Sequence, residues 1–403
     1  MADEVTKKDS IFDVIVVGGG PGGSSAAYFH AQAGKSVALF EFAEWPRDKI
    51  CGDGVTGKSL NILHEMNLGP VVQSIKQVSC EYCLLSSPNG TELTIPIYSP
   101  EDPMTAFCIE REVFDDQVFN HAVASISEKG KLFQRKVVEV IQSDGKIVGV
   151  KDATGEKHYA ELVVGAGGYN CPVSRFILSE SGLPQQDKSL YSAAVREYWA
   201  GLDVPNGGLQ IHFLKGIQPG YFWIFPVGEG KFNIGVGMLL KDMDKQKVKL
   251  KSMLDWVVSE SPLANVFENA QPIAGTRKGW MLPLSGKSIR KAHYPGAVLV
   301  GDAASLVDPF TGEGIGNALV SGKLSVNYLG EEYQKALEDS IGKELSNSYR
   351  LQNMLYRPWL VNWFFKKASK KPDLQMILTD MLHNKSEQSK FKSKRFWIKS
   401  LLF

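Results

Sequence analysis

Residues Val14 to Gly23 read VIVVGGGPGG, a run of β-branched residues followed at once by a glycine-rich turn. The glycines satisfy the pattern G-x-G-x-x-G at Gly18, Gly20 and Gly23. Gly18 permits a tight turn, Gly20 lets the backbone approach a pyrophosphate, and Gly23 allows the following helix to pack closely on the strand. The pattern predicts a strand, a turn and a helix whose N-terminus receives a diphosphate group.

The next part of the chain completes this unit. A helix is expected from Gly22 to Ala33, and a second strand from Ser36 to Glu41. Glu41 lies about 20 residues after the glycines, where an acid accepts a hydrogen bond from a ribose hydroxyl. Because strand, helix and acid occur together, a dinucleotide site is a stronger interpretation than a loop that merely contains many glycines.

Length and composition limit the possible classes of protein. A chain of 403 residues exceeds the usual size of one hydrophobic core, so two domains, or two interleaved domains, are expected. The formal net charge of +1 argues against a nucleic-acid partner. Residues 1–10 lack the apolar run of a secretion signal, and no apolar stretch reaches the length of a membrane span.

The cysteines and histidines give little support for a metal site. The five cysteines are expected to be reduced, because no secretion signal is recognised. Cys80 and Cys83 are spaced C-x-x-C but lack a second pair, so ordinary strand cysteines are favoured over metal ligands. The seven histidines show no pairing at ligand spacing, and we predict no metal centre.

A second nucleotide signature lies further along the chain. Residues 297–304 read AVLVGDAA, and residues 308–316 read DPFTGEGIG. Asp302 at the end of a buried strand can accept hydrogen bonds from a polyol such as a ribityl chain, whereas glycines before a helix suit a diphosphate or the flavin edge. The alternative is that Asp302 caps a helix. Two such separated signatures imply one extended ligand.

With these signatures, the sequence resembles the FAD-dependent proteins of the para-hydroxybenzoate hydroxylase class, whose Gly-Asp motif contacts the flavin ribityl. Within that class it is most similar to the geranylgeranyl reductase family. Three segments carry the closer similarity: residues 18–23, the CGDG loop at residues 51–54, and YFWIFP at residues 221–226 with Gly228 and Gly230. The similarity extends to about Leu345.

The resemblance implies FAD as the cofactor and an α/β fold. A Rossmann-type FAD-binding domain (1–79, 109–186 and 289–345) would be interleaved with an antiparallel-sheet substrate domain (80–108 and 187–288), followed by a helical C-terminal region (346–403). Val137 would contribute its backbone near the adenine. The full set of FAD-binding residues implied in this way is Gly18, Gly20, Gly23, Glu41, Cys51, Gly52, Gly54, Arg111, Val137, Asp302, Gly314 and Ile315.

One departure from the class concerns the source of electrons. The class usually has Gly-Ala-Asp-Gly after its third buried strand, with the Asp linked to interactions with flavin and pyridine nucleotide. Here the segment reads Gly-Ala-Gly-Gly, and the carboxylate is missing at Gly167. The electron donor therefore stays open between NADPH and a ferredoxin-like carrier, the latter being an external partner protein.

The resemblance implies reduction of carbon–carbon double bonds in the prenyl chain of a lipid, quinone or phytyl precursor. An isolated alkene accepts a hydride from reduced flavin only if a proton reaches the other carbon, and the transition state resembles a tertiary cation. Tyr221, Trp223 and Phe225 alternate along a predicted strand and share one face, where each aromatic ring would stabilise positive charge by about 0.5–2 kcal/mol. The alternative is that these rings belong to a sheet core.

Cys51 begins the CGDG loop expected beside the flavin. Three roles stay open for its thiol: a proton donor, a redox reporter or a small filler residue. Asp53 either polarises a water or caps the following helix. The catalytic candidates are therefore Cys51, Tyr221, Trp223 and Phe225.

The C-terminal tail is basic and aromatic. Residues 385–403 carry six Lys or Arg side chains against the single acid Glu387, interleaved with Phe391, Phe396 and Trp397. This composition suits peripheral contact with an anionic membrane, and the alternative is a solvated helix packed on the body. We expect a cytoplasmic protein, with contact at the inner face of the membrane left open.

Two other functions compete with prenyl reduction. A flavin-dependent monooxygenase or halogenase of the same fold would use oxygen, and a halogenase would be expected to show W-x-W-x-I-P where this chain reads YFWIFP. A non-enzymatic FAD-binding protein is disfavoured, because the CGDG loop and the aromatic strand would then lack a purpose. Reduction is therefore the favoured prediction.

Overall fold

The computed structural model describes residues 11–75, 77–97, 106–126, 129–228, 230–371 and 375. The basic tail from Lys385 to Phe403, predicted to contact membranes, lies outside the described residues.

The strands in chain order are β1 (Phe12–Val17), β2 (Val37–Phe40), β3 (Gly54–Thr56), β4 (Val78–Ser79), β5 (Tyr82–Ser86), β6 (Glu92–Pro96), β7 (Ala106–Cys108), β8 (Lys131–Phe133), β9 (Val137–Ser143), β10 (Lys146–Asp152), β11 (Lys157–Gly165), β12 (Tyr191–Ala200), β13 (Gly208–His212), β14 (Tyr221–Gly228), β15 (Lys231–Leu239), β16 (Gln271–Pro272), β17 (Lys278–Pro283), β18 (His293–Tyr294) and β19 (Ala297–Leu299).

The α-helices are α1 (Pro21–Gln32), α2 (Gly57–Glu65), α3 (Gly69–Ser74), α4 (Arg111–Ser125), α5 (Pro172–Glu180), α6 (Leu240–Gln246), α7 (Leu250–Ser259), α8 (Ile315–Leu324), α9 (Gly330–Leu337), α10 (Lys343–Gln352) and α11 (Pro358–Ala368). A π-helical segment, Glu338–Gly342, joins α9 to α10.

The first large sheet has a parallel centre in the order β19-β11-β1-β2-β8, with β18 antiparallel at one edge. The β9–β10 hairpin pairs with the start of β11. Strand β1 is buried on both faces, as expected for a parallel strand covered by helices. Helix α1 follows β1 immediately and packs between α4 and α8. The predicted strand, turn and helix around Gly18 are confirmed.

The second large sheet has the order β16-β12-β15-β14-β13-β5-β6, and β17 also pairs with β12. Its central pairs are antiparallel, apart from the parallel contact of β13 with β5. A third, small sheet has the order β3-β7-β4, and strands β5 and β6 of the second large sheet lie between β4 and β7 in the chain. We propose that the two domains follow the predicted boundaries, with one change. Strand β7 belongs to the small sheet and not to the sheet of the predicted substrate domain.

One predicted helix differs from the structure. The sequence of residues 61–75 by itself predicts one continuous helix, but α2 starts earlier, at Gly57, and ends at Glu65. Asn67 has a φ of +58°, which leaves the helical region, and α3 then restarts with Pro70 in its first turn. A proline has no backbone N–H to continue a preceding helix, so the break falls before it.

The mixed α/β fold with interleaved sheets and a helical C-terminal region agrees with the prediction. The two faces of β14 contact different parts of the structure. Phe222 and Ile224 point into a core formed with α7, whereas Tyr221, Trp223 and Phe225 point into a large cavity between the sheets. Because side chains alternate along a strand, one segment can fill a core and wall a cavity at the same time.

Candidate active site

A cavity of about 1000 Å³ runs from the glycine-rich turn to the aromatic face of β14. Its volume is at the upper end of the range for small-molecule sites. Every residue predicted to bind FAD lines this cavity except Gly23, which lies behind the turn. The predicted catalytic residues Cys51, Tyr221, Trp223 and Phe225 line it as well.

The glycine-rich turn is shaped to receive a phosphate. Gly18 has a φ of +108°, and a Cβ there would lie 2.6 Å from the carbonyl oxygen of Ala166. A Cβ at Gly23 would overlap the carbonyl oxygen of Gly18. Helix α1 begins beside the cavity without a side-chain cap, so its first N–H groups are available to an anion. These features fit the diphosphate of a dinucleotide.

Glu41 holds its carboxylate in a fixed orientation at the end of β2. One oxygen accepts a hydrogen bond from the N–H of Gly19 at 2.8 Å, and the other from the N–H of Ala43 at 2.8 Å. Each oxygen retains a lone pair for a further donor. Val137 lies at the start of β9 on the same side of the cavity, beside residues 40–43. This end of the cavity therefore fits a nucleoside.

The opposite end of the dinucleotide site is formed around Asp302 and the start of α8. Gly314 and Ile315 begin this helix at the cavity wall, again without a side-chain cap. Asp302 is not a helix N-cap, because it lies inside the short helix Gly301–Ala304, whose N-cap is Val300 and which has no side-chain cap. Its carboxylate faces the cavity 3.9 Å from the ammonium group of Lys49, free to accept from a polyol. The set of donors and acceptors along the cavity fits FAD.

Lys49 was not predicted from the sequence, although it stands two residues before Cys51. Its ammonium group lies 4.0 Å over the ring of Trp280, and both side chains line the cavity. Burial lowers the pKa of Lys49 to about 8. A cation in this position complements negative charge on a bound ligand.

Arg47 was also not predicted, and its guanidinium lies beside the phosphate turn. A Cβ at Gly20 would be 3.6 Å from Nη2 of Arg47. The guanidinium also lies 4.4 Å over the ring of Trp45 and 3.8 Å from Asp115. A planar guanidinium next to a phosphate-binding turn is suited to bidentate hydrogen bonding. The only signal in the sequence is the charged segment 47–49 that precedes the CGDG loop.

Cys51 lies against a buried ion pair. Arg111 donates two hydrogen bonds to Asp115, at 2.7 and 2.8 Å, and is a hydrogen-bonding neighbour of the Cys51 thiol. Burial alone would lower the pKa of Arg111, but the charges of Asp115 and Cys51 outweigh it and raise that pKa. The thiol is therefore next to a permanent positive charge.

Asp53 does not cap the following helix, as one sequence interpretation had it, since the N-cap of α2 is Thr56. Its fully buried carboxylate accepts hydrogen bonds from the hydroxyl of Tyr198 at 2.6 Å, from Nδ2 of Asn233 at 2.7 Å and from the N–H of Arg111 at 3.3 Å. Burial raises the pKa of Asp53 to about 6, and the bonds from Tyr198 and Asn233 oppose that rise.

The aromatic face of β14 forms the wall of the cavity beyond Asp302. The ring centroids of Tyr221 and Trp223 are 6.1 Å apart, and those of Trp223 and Phe225 are 6.5 Å apart. The hydroxyl of Tyr221 donates to the carbonyl of Thr311 at 2.7 Å, which fixes the ring beside the loop before α8. The surrounding wall is largely apolar: Leu209, Ile211, Leu282, Leu284, Phe310 and Leu355.

Gly167, where the class usually has an aspartate, also lines the cavity. A Cβ at this position would lie 3.2 Å from the Cα of Cys171, a tight contact that requires Cys171 to move by a few tenths of an ångström. The structure thus agrees with a site built without this carboxylate.

A group of potential metal ligands lies elsewhere, at the turn between β10 and β11. The ligand atoms of Asp152, Glu156 and His158 lie within 4.8 Å of one another. The guanidinium of Arg135 pairs with both carboxylates, and His158 bonds Asp152 at 3.1 Å. Because an arginine already pairs with both acids, the cluster is an ion-pair network in this arrangement.

Comparisons with known proteins point in one direction. A family described as the geranylgeranyl reductase catalytic domain matches residues 191–275, and a family described as FAD dependent oxidoreductase matches residues 13–168. A menaquinone reductase of Mycobacterium tuberculosis is 31% identical over 87% of this chain and 85% of its own length. A digeranylgeranylglycerophospholipid reductase of Methanosarcina mazei is 31% identical, covering 85% of this chain and 84% of its own.

Solved structures share the fold. A geranylgeranyl bacteriochlorophyll reductase-like protein from Thermoplasma acidophilum superposes with a TM-score of 0.77 at 22% identity, covering 95% of this chain and 99% of that one. A flavin-dependent brominase reaches a TM-score of 0.68 at 22% identity, covering 92% and 93%. At this level of identity the similarity concerns the fold alone.

Proposed function

Because the chain belongs to the geranylgeranyl reductase family of FAD-dependent oxidoreductases, we propose that it reduces carbon–carbon double bonds in the prenyl chain of a lipid or quinone. Its relatives include proteins named menaquinone reductase and digeranylgeranylglycerophospholipid reductase. Both substrate types carry the same reacting unit, a trisubstituted alkene in a long apolar chain.

One observation carries this proposal. Besides Asp302 and Gly314, which are predicted to bind the flavin, the same cavity is lined by Tyr221, Trp223 and Phe225 and by an apolar compartment. Part of that compartment is closed by Leu355 and Tyr356, which belong to the segment between α10 and α11. An apolar chain gains about 25 cal/mol for each Å² of surface that it buries in such a compartment.

The bound flavin, once reduced, supplies the hydride for the alkene. The chain must therefore provide an apolar slot, a proton and stabilisation of the positive charge that develops on carbon. We assign the slot and the charge stabilisation to the faces of Tyr221, Trp223 and Phe225, each contributing about 0.5–2 kcal/mol. We assign the proton to the thiol of Cys51, which lines the same cavity.

The predicted partners enter as parts of the same proposal. Among the described residues, none of the helices combines the length and the apolar composition needed to cross a bilayer. Residues 385–403, with their lysines and aromatic side chains, are proposed to bind the inner face of the membrane from the cytoplasm, where the prenyl substrate dissolves. Deleting them should abolish binding to anionic liposomes at low salt; binding that persists would refute this part.

The glycine at position 167 is the basis of a proposal about the electron donor. Without a carboxylate at this position, we propose that a carrier protein of the ferredoxin type delivers electrons more readily than NADPH does. Stopped-flow reduction of the bound flavin by each donor, followed by the loss of its absorbance, compares the two directly. Faster reduction by NADPH would overturn this choice.

The central experiment is anaerobic turnover. Purified protein with chemically reduced flavin is mixed with a menaquinone or a digeranylgeranyl phospholipid, and the product is analysed by mass spectrometry. Prenyl reduction adds two hydrogens, hence about 2 Da, for each bond saturated. An absolute requirement for oxygen, with an oxygenated or halogenated product, would instead support a monooxygenase or halogenase. A colourless protein that takes up no FAD would end the proposal.

A further inference from the structure

Asn233 uses its whole amide to join three parts of the site. Its Nδ2 donates one hydrogen bond to the carbonyl of Cys51 and another to the carboxylate of Asp53, each at 2.7 Å. Its Oδ1 accepts a hydrogen bond from Nε1 of Trp223 at 2.9 Å. Both N–H groups of the amide are therefore occupied, and the side chain is fully buried.

The aromatic wall and the CGDG loop interlock around this amide. Asn233, Gly235 and Gly237 alternate on one face of β15, and the ring of Trp223 lies on the surface left by the missing side chain of Gly235. On the loop side, a Cβ at Gly52 would lie 2.9 Å from the ring of Phe225 and 3.5 Å from Nε1 of Trp223. Neither the indole nor the loop can shift without breaking a bond to Asn233 or overlapping a neighbour.

The far side of the loop is anchored to the sheet. Asp53 has a φ of +66° and receives the hydroxyl of Tyr198 at 2.6 Å. The ring of Tyr198 is in turn held between Arg196, at 4.2 Å from its centroid, and Lys231, at 4.5 Å. The loop that carries Cys51 is thus bonded to β12 through Tyr198 and to β15 through Asn233.

We propose that Asn233 is a positioning residue, which fixes the thiol of Cys51 relative to the indole of Trp223 and so determines where along a bound prenyl chain the proton is delivered. This inference rests on the proposed function, in which Cys51 donates the proton. The two carbons of an alkene are adjacent, so a displacement of the donor by about 1 Å would lower turnover by as much as 100-fold. Asn233 does not line the cavity, whereas Cys51 and Trp223 do, so Asn233 would act through these two residues.

The first test measures the reactivity of Cys51 and does not depend on activity. The other four cysteines are at most 2% exposed, so iodoacetamide should alkylate Cys51 selectively in the folded, FAD-loaded protein. In the Asn233→Leu variant the loop loses the bonds from Asn233 to the Cys51 carbonyl and to Asp53, and alkylation should accelerate at least about tenfold, the value expected for the loss of a single hydrogen bond. Peptide mass mapping identifies the modified cysteine.

The second test separates kcat from KM with a prenyl substrate. The apolar walls are unchanged in Asn233→Leu, so KM should stay within about threefold, whereas kcat should fall by about 10- to 100-fold. The matched control is Gln210→Leu. Gln210 is a buried amide on β13, separated from β15 by β14 in the same sheet; it bonds His212 and does not line the cavity, so both readouts should remain as in the unmodified protein.

Asn233→Ser is a second variant, which keeps the proposal testable if Asn233→Leu does not fold. A serine leaves room for a water to satisfy Asp53 and Trp223, yet it cannot reach all three partners at once. Faster alkylation together with a lower kcat in either variant supports the proposal. Alkylation and kcat both unchanged in a folded, FAD-loaded variant would overturn it, as would equal losses in Gln210→Leu. If the unmodified protein reduces no prenyl substrate, the proposed function fails, while the alkylation rates still decide whether Asn233 holds the loop.

Discussion

Asp53→Asn should remove two pH dependences that Asp53 causes, one in the free energy of unfolding and one in turnover. The three groups that bond to Asp53, namely Tyr198, Asn233 and the backbone N–H of Arg111, all donate. Their arrangement therefore suits the carboxylate. A protonated carboxyl would carry an O–H donor, and none of these three groups could accept a hydrogen bond from it. An asparagine tolerates the left-handed backbone at this position and keeps one oxygen to accept from Tyr198 and Asn233.

The magnitude follows from the pKa. Burial raises the pKa of Asp53 from 3.8 to about 6, a shift that corresponds to about 3 kcal/mol. The folded state therefore binds a proton more tightly than the unfolded state does. The contribution of this group to the free energy of unfolding is fully present below pH 3.8 and is lost as the pH rises through about 6. Between pH 7.5 and pH 4.5 the gain comes to about 2 kcal/mol.

Turnover should change in the opposite direction. Below a pH of about 6, protonation of Asp53 weakens the attachment of the CGDG loop, so kcat should fall with the slope of a single proton. Burial lowers the pKa of His30 and of His212 to about 4, so neither histidine accounts for a fall in kcat near pH 6. The pKa of the neighbouring Arg111 is raised by the charge of Asp115, so Arg111 does not titrate in this range either.

The assay compares the two proteins at matched pH values. Urea denaturation at pH 7.5 and 4.5 gives the free energy of unfolding, and single-turnover reduction from pH 5 to 8 gives the rate. The double difference between proteins removes the contribution of the remaining titratable groups. Asp53→Asn should lose both the gain of about 2 kcal/mol in acid and the fall in kcat near pH 6. If the rate of Asp53→Asn still fell near pH 6 as it does in the unmodified protein, the reasoning would be refuted.

Three further substitutions test single features of the site. Arg47→Ala removes the guanidinium beside Gly20 and should raise the Kd for FAD about 10- to 100-fold, measured by flavin fluorescence titration; an unchanged Kd would exclude contact with the diphosphate. Cys51→Ser should retain FAD but lower kcat by about 100-fold or more, because a hydroxyl is a poorer acid than a thiol; full turnover would remove the thiol from the mechanism. Gly52→Ala adds a Cβ 2.9 Å from the ring of Phe225 and should lower kcat about tenfold with FAD still bound, which steady-state kinetics and the flavin spectrum together check; wild-type kinetics would show that the wall yields freely.

Much of this architecture is local and could be predicted. The strand, turn and helix from Val14 onward follow from adjacent residues, because a β-branched run, glycines at fixed spacing and a helix each restrict the backbone within a few positions. The shared face of Tyr221, Trp223 and Phe225 also follows from the sequence, since a strand alternates its side chains. The break at Pro70 was missed, because the apolar spacing around it is still helical.

The remaining parts of the site depend on segments far apart in the chain. Asn233 bonds the carbonyl of Cys51 across 182 positions, and Tyr198 bonds Asp53 across 145. Nothing in the local sequence marks these partners, since a hydrogen bond between side chains requires only that the folded backbone bring them within about 3 Å. Likewise, the raised pKa of Asp53 exists only because the two sheets exclude water from it. Periodicity and turn chemistry are properties of neighbouring residues, whereas burial and long-range contact arise when the sheets pack together.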